Sequence, residues 1–283
     1  MVLKRLKTLL EQSEQHQVAI LGIPYDANSS FMRGPAEAPP IIRKSLFSDS
    51  SNLWTETGVD LGGNAVLLDA GDLDFDGTDE PVSVIETATA LLLDHQIPPI
   101  LLGGDHFITY PVVKAFRRKY PKLSILHIDA HPDLYHAFQE NRHSHASSFA
   151  RVMEEQLVDR LVQVGIRTMN GHQRAQAEKF GVEVIEMRHW QKDFQLRFDT
   201  PVYVSLDMDA LDPSCAPGVS HLEPGGFTTR QVITLLQTFE GSIVGADIVE
   251  FNPQNDALNL TSMTAAKILK EIAARITMQR GVL

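Results

Sequence analysis

Leu123-Ser124-Ile125-Leu126-His127-Ile128-Asp129-Ala130-His131-Pro132-Asp133 is the stretch whose reading decides the fold. Residues 123–129 form a mainly apolar run, as expected of a strand buried on both faces of a parallel sheet. At and beyond its end, Asp129, His131 and Asp133 alternate at every second residue, so an extended chain points all three the same way. Two other apolar runs end similarly: 99–102 runs into Gly103-Gly104-Asp105-His106, and 202–207 into Ser205-Leu206-Asp207-Met208-Asp209. Further strand candidates lie at 18–24, 65–69, 161–166, 182–185 and 242–249, with helical patterns at 82–93, 110–119, 229–238 and 265–276. Short apolar runs alternating with helices predict an α/β fold, a parallel sheet covered by helices on both faces. With no long linker, low-complexity segment or repeat, residues 1–283 are read as one domain. Ligands of such sheets collect at the carboxyl ends of the strands, where all three stretches fall.

A lone aspartate at a strand end is ordinarily a turn or helix-cap residue, and a lone histidine a hydrogen-bonded structural one. The joint pattern of His106, Asp129, His131, Asp133, Asp207 and Asp209 reads differently. Four carboxylates buried together repel one another and lose hydration, at a cost of several kcal/mol unless cations neutralise them. An oxygen-rich set with two imidazoles suits a pair of near-octahedral Mn²⁺-like ions, with Fe, Co or Ni as substitutes. No thiolate set favours zinc. Two such ions predict a hydrolase.

The chain has 283 residues, a net charge of −11, 43% hydrophobic residues and a mean hydropathy of −0.11. The charge argues against nucleic acid or an anionic membrane as the main partner and suits a cationic small molecule. One cysteine, Cys215, excludes an intramolecular disulfide framework and fits a cytoplasmic setting. No apolar stretch has the length of a membrane span. The start, Met1 to Lys7, is amphipathic and basic without the long apolar core of a secretory signal, and Glu11 and Glu14 count against a transit peptide.

At these residues the chain resembles the ureohydrolases, the arginases, agmatinases and their relatives. Gly-Gly-Asp-His at 103–106, Asp-Ala-His-Pro-Asp at 129–133 and Ser-Leu-Asp-Met-Asp-Ala-Leu-Asp-Pro at 205–213 match the family signatures. The stretches at 141–151, 164–167, 216–226 and 247–253 are similar to the plant-type arginase branch. The resemblance implies a three-layer α/β/α sandwich with a mainly parallel eight-stranded sheet, assembled as a homotrimer or homohexamer. It implies two Mn²⁺ per chain, with His106 and Asp133 on one ion, His131 and Asp209 on the other, and Asp129 and Asp207 bridging both. It also implies cleavage of a guanidino substrate to urea and an amine by a metal-bridging hydroxide. Asp133 would relay a proton, His145 would shuttle one, Glu250 would grip the guanidinium, and Asp247 would stand behind a ligand. His221 would lie near the scissile group. By the same resemblance Tyr135, Asn141 and Asn170 would occupy the substrate rim, where they depart from the animal-type pattern. His143 stands where plant-type sequences carry Tyr, and Cys215, expected to be a small buried filler, where they carry Phe. L-arginine is the leading substrate and agmatine or another guanidino compound the alternative. The rival readings are a zinc amide hydrolase on the related deacetylase fold and a catalytically silent, metal-stabilised oligomer.

Overall fold

The structure, a computed structural model, describes residues 2–12, 18–63, 66–75, 80–191 and 194–281. In chain order the elements are α1 (Val2–Gln12), β1 (Val18–Ile23), α2 (Ala38–Leu46), β2 (Leu67–Asp72), α3 (Pro81–Asp94), β3 (Pro99–Gly103), α4 (Thr109–Lys119), β4 (Ser124–Ile128), α5 (Ser148–Glu154), β5 (Arg160–Ile166), α6 (Gly171–Phe180), β6 (Glu183–Glu186), β7 (Val202–Asp207), α7 (Thr229–Thr238), β8 (Ile243–Val249) and α8 (Leu260–Gln279). Each predicted strand appears within a few residues of its expected bounds; the Ala65 end of one, like Glu14, lies outside the described residues.

The local causes are ordinary. Pro81 opens α3 at a position where its missing N–H costs nothing. Asn170 and Thr228 start α6 and α7 with reciprocal capping boxes, each bonding the main chain three residues on. Gly181 closes α6 at φ 66°, a left-handed turn that glycine adopts without a Cβ clash.

Among the described residues the strands form one sheet in the order β2-β1-β3-β8-β7-β4-β5-β6, and every pair is parallel. One face packs on α1, α3, α4 and α5 through residues such as Leu10, Leu92, Phe116 and Phe149; the other packs on α2, α7 and α8 through Ile42, Leu236 and Leu269. The three-layer α/β/α sandwich is therefore present. Burial on both faces explains why β1, β3, β4 and β7 are buried along their whole length. No helix among the described residues is long and apolar enough to cross a membrane.

The chain builds β1, β2 and β3 in one half, crosses to β4, β5 and β6, then returns to insert β7 and β8 between the halves. The four central strands are thus β3, β8, β7 and β4. Three of them end in the stretches singled out from the sequence, and the fourth ends at Glu250. This reversal of strand order is where open α/β sheets bind ligands.

Candidate metal centre

Three strand ends repeat one local device. Asp105, Asp129 and Asp207 each accept, on Oδ1, the main-chain N–H two residues on, at 3.2, 2.6 and 2.8 Å. These side-chain turns stop the strands and roll the chain over. The expected alternation on an extended chain is therefore corrected: β4 ends at Ile128, and Asp133 sits in the left-handed region at φ 48°. Curled turns, not strand pleats, bring the side chains together. Glu250, after β8, is also left-handed at φ 62°. A non-glycine there costs of order 1–3 kcal/mol, which the surrounding structure sustains at functional positions. Gly104 allows the closest approach: a Cβ there would lie 1.7 Å from the Tyr25 carbonyl oxygen.

The six candidate ligands converge. His106 Nδ1 lies 3.2 Å from Asp129 Oδ2, 3.1 Å from Asp133 Oδ2 and 3.2 Å from Asp207 Oδ2. His131 Nδ1 lies 2.9 Å from Asp209 Oδ2 and 3.6 Å from Asp129 Oδ1. Among the described residues His106 Nδ1 is buried with no hydrogen-bond partner. Its Nε2 lies 2.9 Å from Ser205 Oγ, whose proton goes to Asp247 Oδ1 at 2.7 Å. Asp247 also accepts from Thr109 and Tyr203, at 2.8 and 2.7 Å. With Ser205 Oγ giving its proton away, His106 Nε2 donates, so Nδ1 is the nitrogen that faces three carboxylates and can offer a lone pair to a cation. An ion with bonds of about 2.0–2.2 Å places neighbouring ligand atoms about 3 Å apart, the separations seen around His106 Nδ1. The donor set fits divalent ions.

The charges agree. Burial, then the nearby Asp209 and Asp129 carboxylates, push Asp207 well above the ordinary carboxylate range. Burial opposes a charge on His106, but contacts with Asp129, Asp133 and Asp207 outweigh it and raise its pKa. Protons are drawn to this cluster because it is short of positive charge.

Beside the cluster, Glu250 Oε1 accepts the His106 main-chain N–H at 2.8 Å and pairs with His145 Nδ1 at 2.7 Å. His145, which opens a short 3-10 turn, is buried. Its Nε2 receives the Ser30 N–H at 3.1 Å and lies 2.8 Å from Ser30 Oγ. Burial resists a charge on His145, while Glu250, Asp105 and Asp133 push its pKa up to about 9. That pull conflicts with the Ser30 N–H, which needs a lone pair on Nε2. The main-chain donor is fixed, so it decides for the neutral ring with its proton on Nδ1; cations held by these carboxylates would remove the opposing pull.

A cavity of ≈ 660 Å³, counting its open mouth, lies over this edge. His131, Asp133, Asp207, Asp209, His145, His221 and Glu250 line it, with Ser30, Tyr135, Phe138, Thr168 and Gln173. His106 and Asp129 lie beneath, fully buried. Of the expected rim residues, Tyr135 is in the lining, while Asn141 and Asn170 stand outside it. Asn170 Oδ1 caps α6 by accepting the Gln173 N–H at 3.0 Å, and its Nδ2 donates to Tyr135 Oη at 2.6 Å. Asn141 Nδ2 donates to Asn28 Oδ1, and its Oδ1 accepts the His143 N–H. Each amide thus makes one donor and one acceptor bond within the chain. His143 packs its ring against Phe107 and Tyr110, and Cys215 is half-buried against the core.

Sequence reasoning missed Ser30, Thr168 and Gln173, ordinary loop and helix residues with no spacing signal. It also missed His127, which is fully buried with Nε2 2.7 Å from Asp129 Oδ2 and groups with His106 and Asp129 within 4.8 Å. The signal for His127 was there to read: a histidine inside an otherwise apolar strand. Arg167 ties the loops after β5 and β7 together, donating to the Asp209 and Glu223 carbonyls at 2.7 and 2.6 Å.

Comparison with known proteins agrees with this geometry. The family model described as the Arginase family matches residues 16–274. "Arginase 1, mitochondrial" from Arabidopsis thaliana is 45% identical over 276 residues, 92% of this chain and 81% of that one. A guanidinobutyrase from Pseudomonas aeruginosa is 33% identical, over 90% of this chain and 84% of its own. The solved structure of an arginase from Medicago truncatula superposes with a TM-score of 0.91 at 42% identity, covering 97% of this chain and 93% of that chain. Sequence, fold and the carboxylate–imidazole edge agree, and the chain belongs to the arginase family.

Proposed function

We propose that the chain hydrolyses the guanidinium of L-arginine to ornithine and urea with two Mn²⁺ per chain. The observation that carries this reading is His106 Nδ1, a buried ring nitrogen facing three carboxylate oxygens at 3.1–3.2 Å. His106, Asp129, His131, Asp133, Asp207 and Asp209 would hold the ions. Guanidinium is a poor electrophile because its charge is spread over three nitrogens, and the ions supply Lewis-acid activation of water against it.

The chain's own groups do the rest. Glu250 Oε1 is fixed by the His106 N–H and by His145, so the carboxylate plane is set before substrate arrives. A planar guanidinium pairs with that plane through its fork of N–H donors. Asp133, at the edge of the cavity, would take the proton released by the attacking water and pass it to the departing nitrogen. His145, held by Ser30 at Nε2, moves a proton between that nitrogen and solvent.

Agmatine is the second reading, favoured by one observation: among the described residues the cavity lining holds no lysine or arginine to pair with a substrate carboxylate. Ser30, Tyr135, Thr168 and Gln173 offer neutral hydrogen bonds only. Urea release from arginine and agmatine, measured side by side with Mn²⁺ added, separates the two; a large preference for agmatine overturns arginine. Asp129→Asn should abolish urea production, and retained activity would refute the mechanism.

A further inference from the structure

Strand register places four fully buried polar side chains in one row, pairing Gln163 with His127, His127 with Ser205, and Ser205 with Asp247. The Ser205–Asp247 half ends on His106. The other half ends on Asp129. Gln163 Nε2 lies 2.6 Å from the Pro132 carbonyl oxygen and 3.0 Å from His127 Nδ1. A carbonyl oxygen only accepts, so the atom facing it is the amide nitrogen, and the same nitrogen donates to Nδ1. Nδ1 therefore carries the lone pair and Nε2 the proton, which is directed at Asp129 Oδ2, 2.7 Å away. The ring is held in place: Phe149 stacks on it with centroids 3.9 Å apart at 28°, and His106 meets it edge-on at 5.0 Å.

We propose that Gln163 and His127 are a positioning pair whose directed proton sets the Asp129 carboxylate to span two cations and keeps His127 itself out of the ligand set. This rests on the metal-dependent reading above. Asp129 Oδ1 accepts the His131 N–H at 2.6 Å and lies 3.6 Å from His131 Nδ1. Asp129 Oδ2 accepts from His127 and lies 3.2 Å from His106 Nδ1. One oxygen thus faces each half of the site, each with one lone pair pinned by a protein donor and another left for a cation. By distance alone His127 is itself a candidate ligand, since its atoms group with His106 and Asp129 within 4.8 Å. A ring nitrogen that bears a proton cannot coordinate, and Gln163 decides which nitrogen bears it. Without the Nε2 proton only the His131 N–H at Oδ1 holds the carboxylate, and Oδ2 loses the donor that fixes its direction.

The test uses His127→Phe, which keeps a ring stacked on Phe149 and removes the donor, and His127→Gln, whose amide N–H restores one. Gln163→Met removes only the bond that orders the imidazole proton. The metal-free proteins are titrated with Mn²⁺ against a fluorescent chelator, and the electron paramagnetic resonance spectrum of the loaded proteins reports spin coupling between the ions. Removing a group that orients a metal ligand typically costs about 10–100-fold in affinity, so His127→Phe should lose that much together with the coupled signal. His127→Gln should stay within about threefold of the original and keep the coupling, with Gln163→Met between the two. Unchanged affinity and coupling in His127→Phe, or equal damage in His127→Gln, would overturn the proposal and leave the histidine a packing role. If His127→Phe does not fold, Gln163→Met decides: unaltered affinity and coupling in that variant also overturn it. Failure of the unsubstituted protein to bind two ions would instead sink the metal-dependent reading, so the two failures are distinguishable.

Discussion

Glu250→Gln isolates the charge that is proposed to hold the substrate. Glu250 Oε1 accepts the His106 main-chain N–H at 2.8 Å and the His145 Nδ1 proton at 2.7 Å. An amide oxygen placed at Oε1 keeps both bonds, so the backbone at His106 and the His145 ring stay where they are. What is lost is the negative charge and the second oxygen, replaced by an NH₂ that points donors at the donors of a guanidinium. A hydrogen bond to a charged group contributes about 1.5–3 kcal/mol, and leaving the opposed group unpaired adds more, for a loss of about 3–4 kcal/mol. At about 1.4 kcal/mol per decade this is roughly a 140- to 700-fold fall in kcat/KM for urea release. Glu250 is outside the proposed ligand set, so two Mn²⁺ per chain should remain by elemental analysis. A fall of less than tenfold, or loss of metal from the variant, would refute the assignment of Glu250 as the group that grips substrate.

Asn170→Ala should behave as a capping defect. It should lower stability in urea denaturation by about 1 kcal/mol and leave KM for arginine little changed, because both ends of the amide serve α6 and Tyr135. A KM increase above tenfold with unchanged stability would return Asn170 to the substrate rim. Stripping the metal with a chelator should lower Tm by about 5–15 °C, since bound ions stabilise the fold by about 3–4 kcal/mol per site at saturation and their loss leaves buried carboxylates facing each other. An unchanged Tm in differential scanning calorimetry would show that the carboxylate cluster needs no cation. The exposed pair of Glu56 with Arg230 predicts an acid limb. The Arg230 hydrogen bonds, opposed by burial and helped by Lys267, hold Glu56 down at about 2, against an ordinary 4.5. A depressed pKa gives stability that is complete above the unfolded value and is lost as pH falls from about 4.5 to 2. Glu56→Gln should therefore narrow the stability difference from the original protein across that window, and an unchanged difference would remove Glu56 from the account.

Much of the molecule is legible in the sequence because the informative signals are short-range. A strand buried on both faces must be apolar along its length, so β1, β3, β4 and β7 can be read from composition alone. A carboxylate at the end of such a strand is conspicuous because burial penalises it, and this marks His106, Asp129, His131, Asp133, Asp207 and Asp209 from residue type and spacing. Even there the sequence misleads about geometry, since an Asp turn looks the same whether the chain runs on extended or curls. Other features are invisible because they arise from contacts through space. Ser30 reaches His145 across 115 positions of chain, and no local pattern distinguishes it from any loop serine. Asn170 lies next to the rim in sequence order, yet its side chain is taken by a helix cap, while Gln173, one turn along α6, lines the cavity.

What the sequence determined by itself is the fold class and the identity of the groups that make a cation-demanding edge, because hydrophobic periodicity and buried charge are properties of the residues themselves. Only the tertiary structure decided how those groups face one another. The order β3-β8-β7-β4 brings strand ends up to about 150 residues apart to one edge, and the register across β5, β4, β7 and β8 lines Gln163, His127, Ser205 and Asp247 into a row. Register is set by how whole strands pack, so no single stretch of sequence contains it.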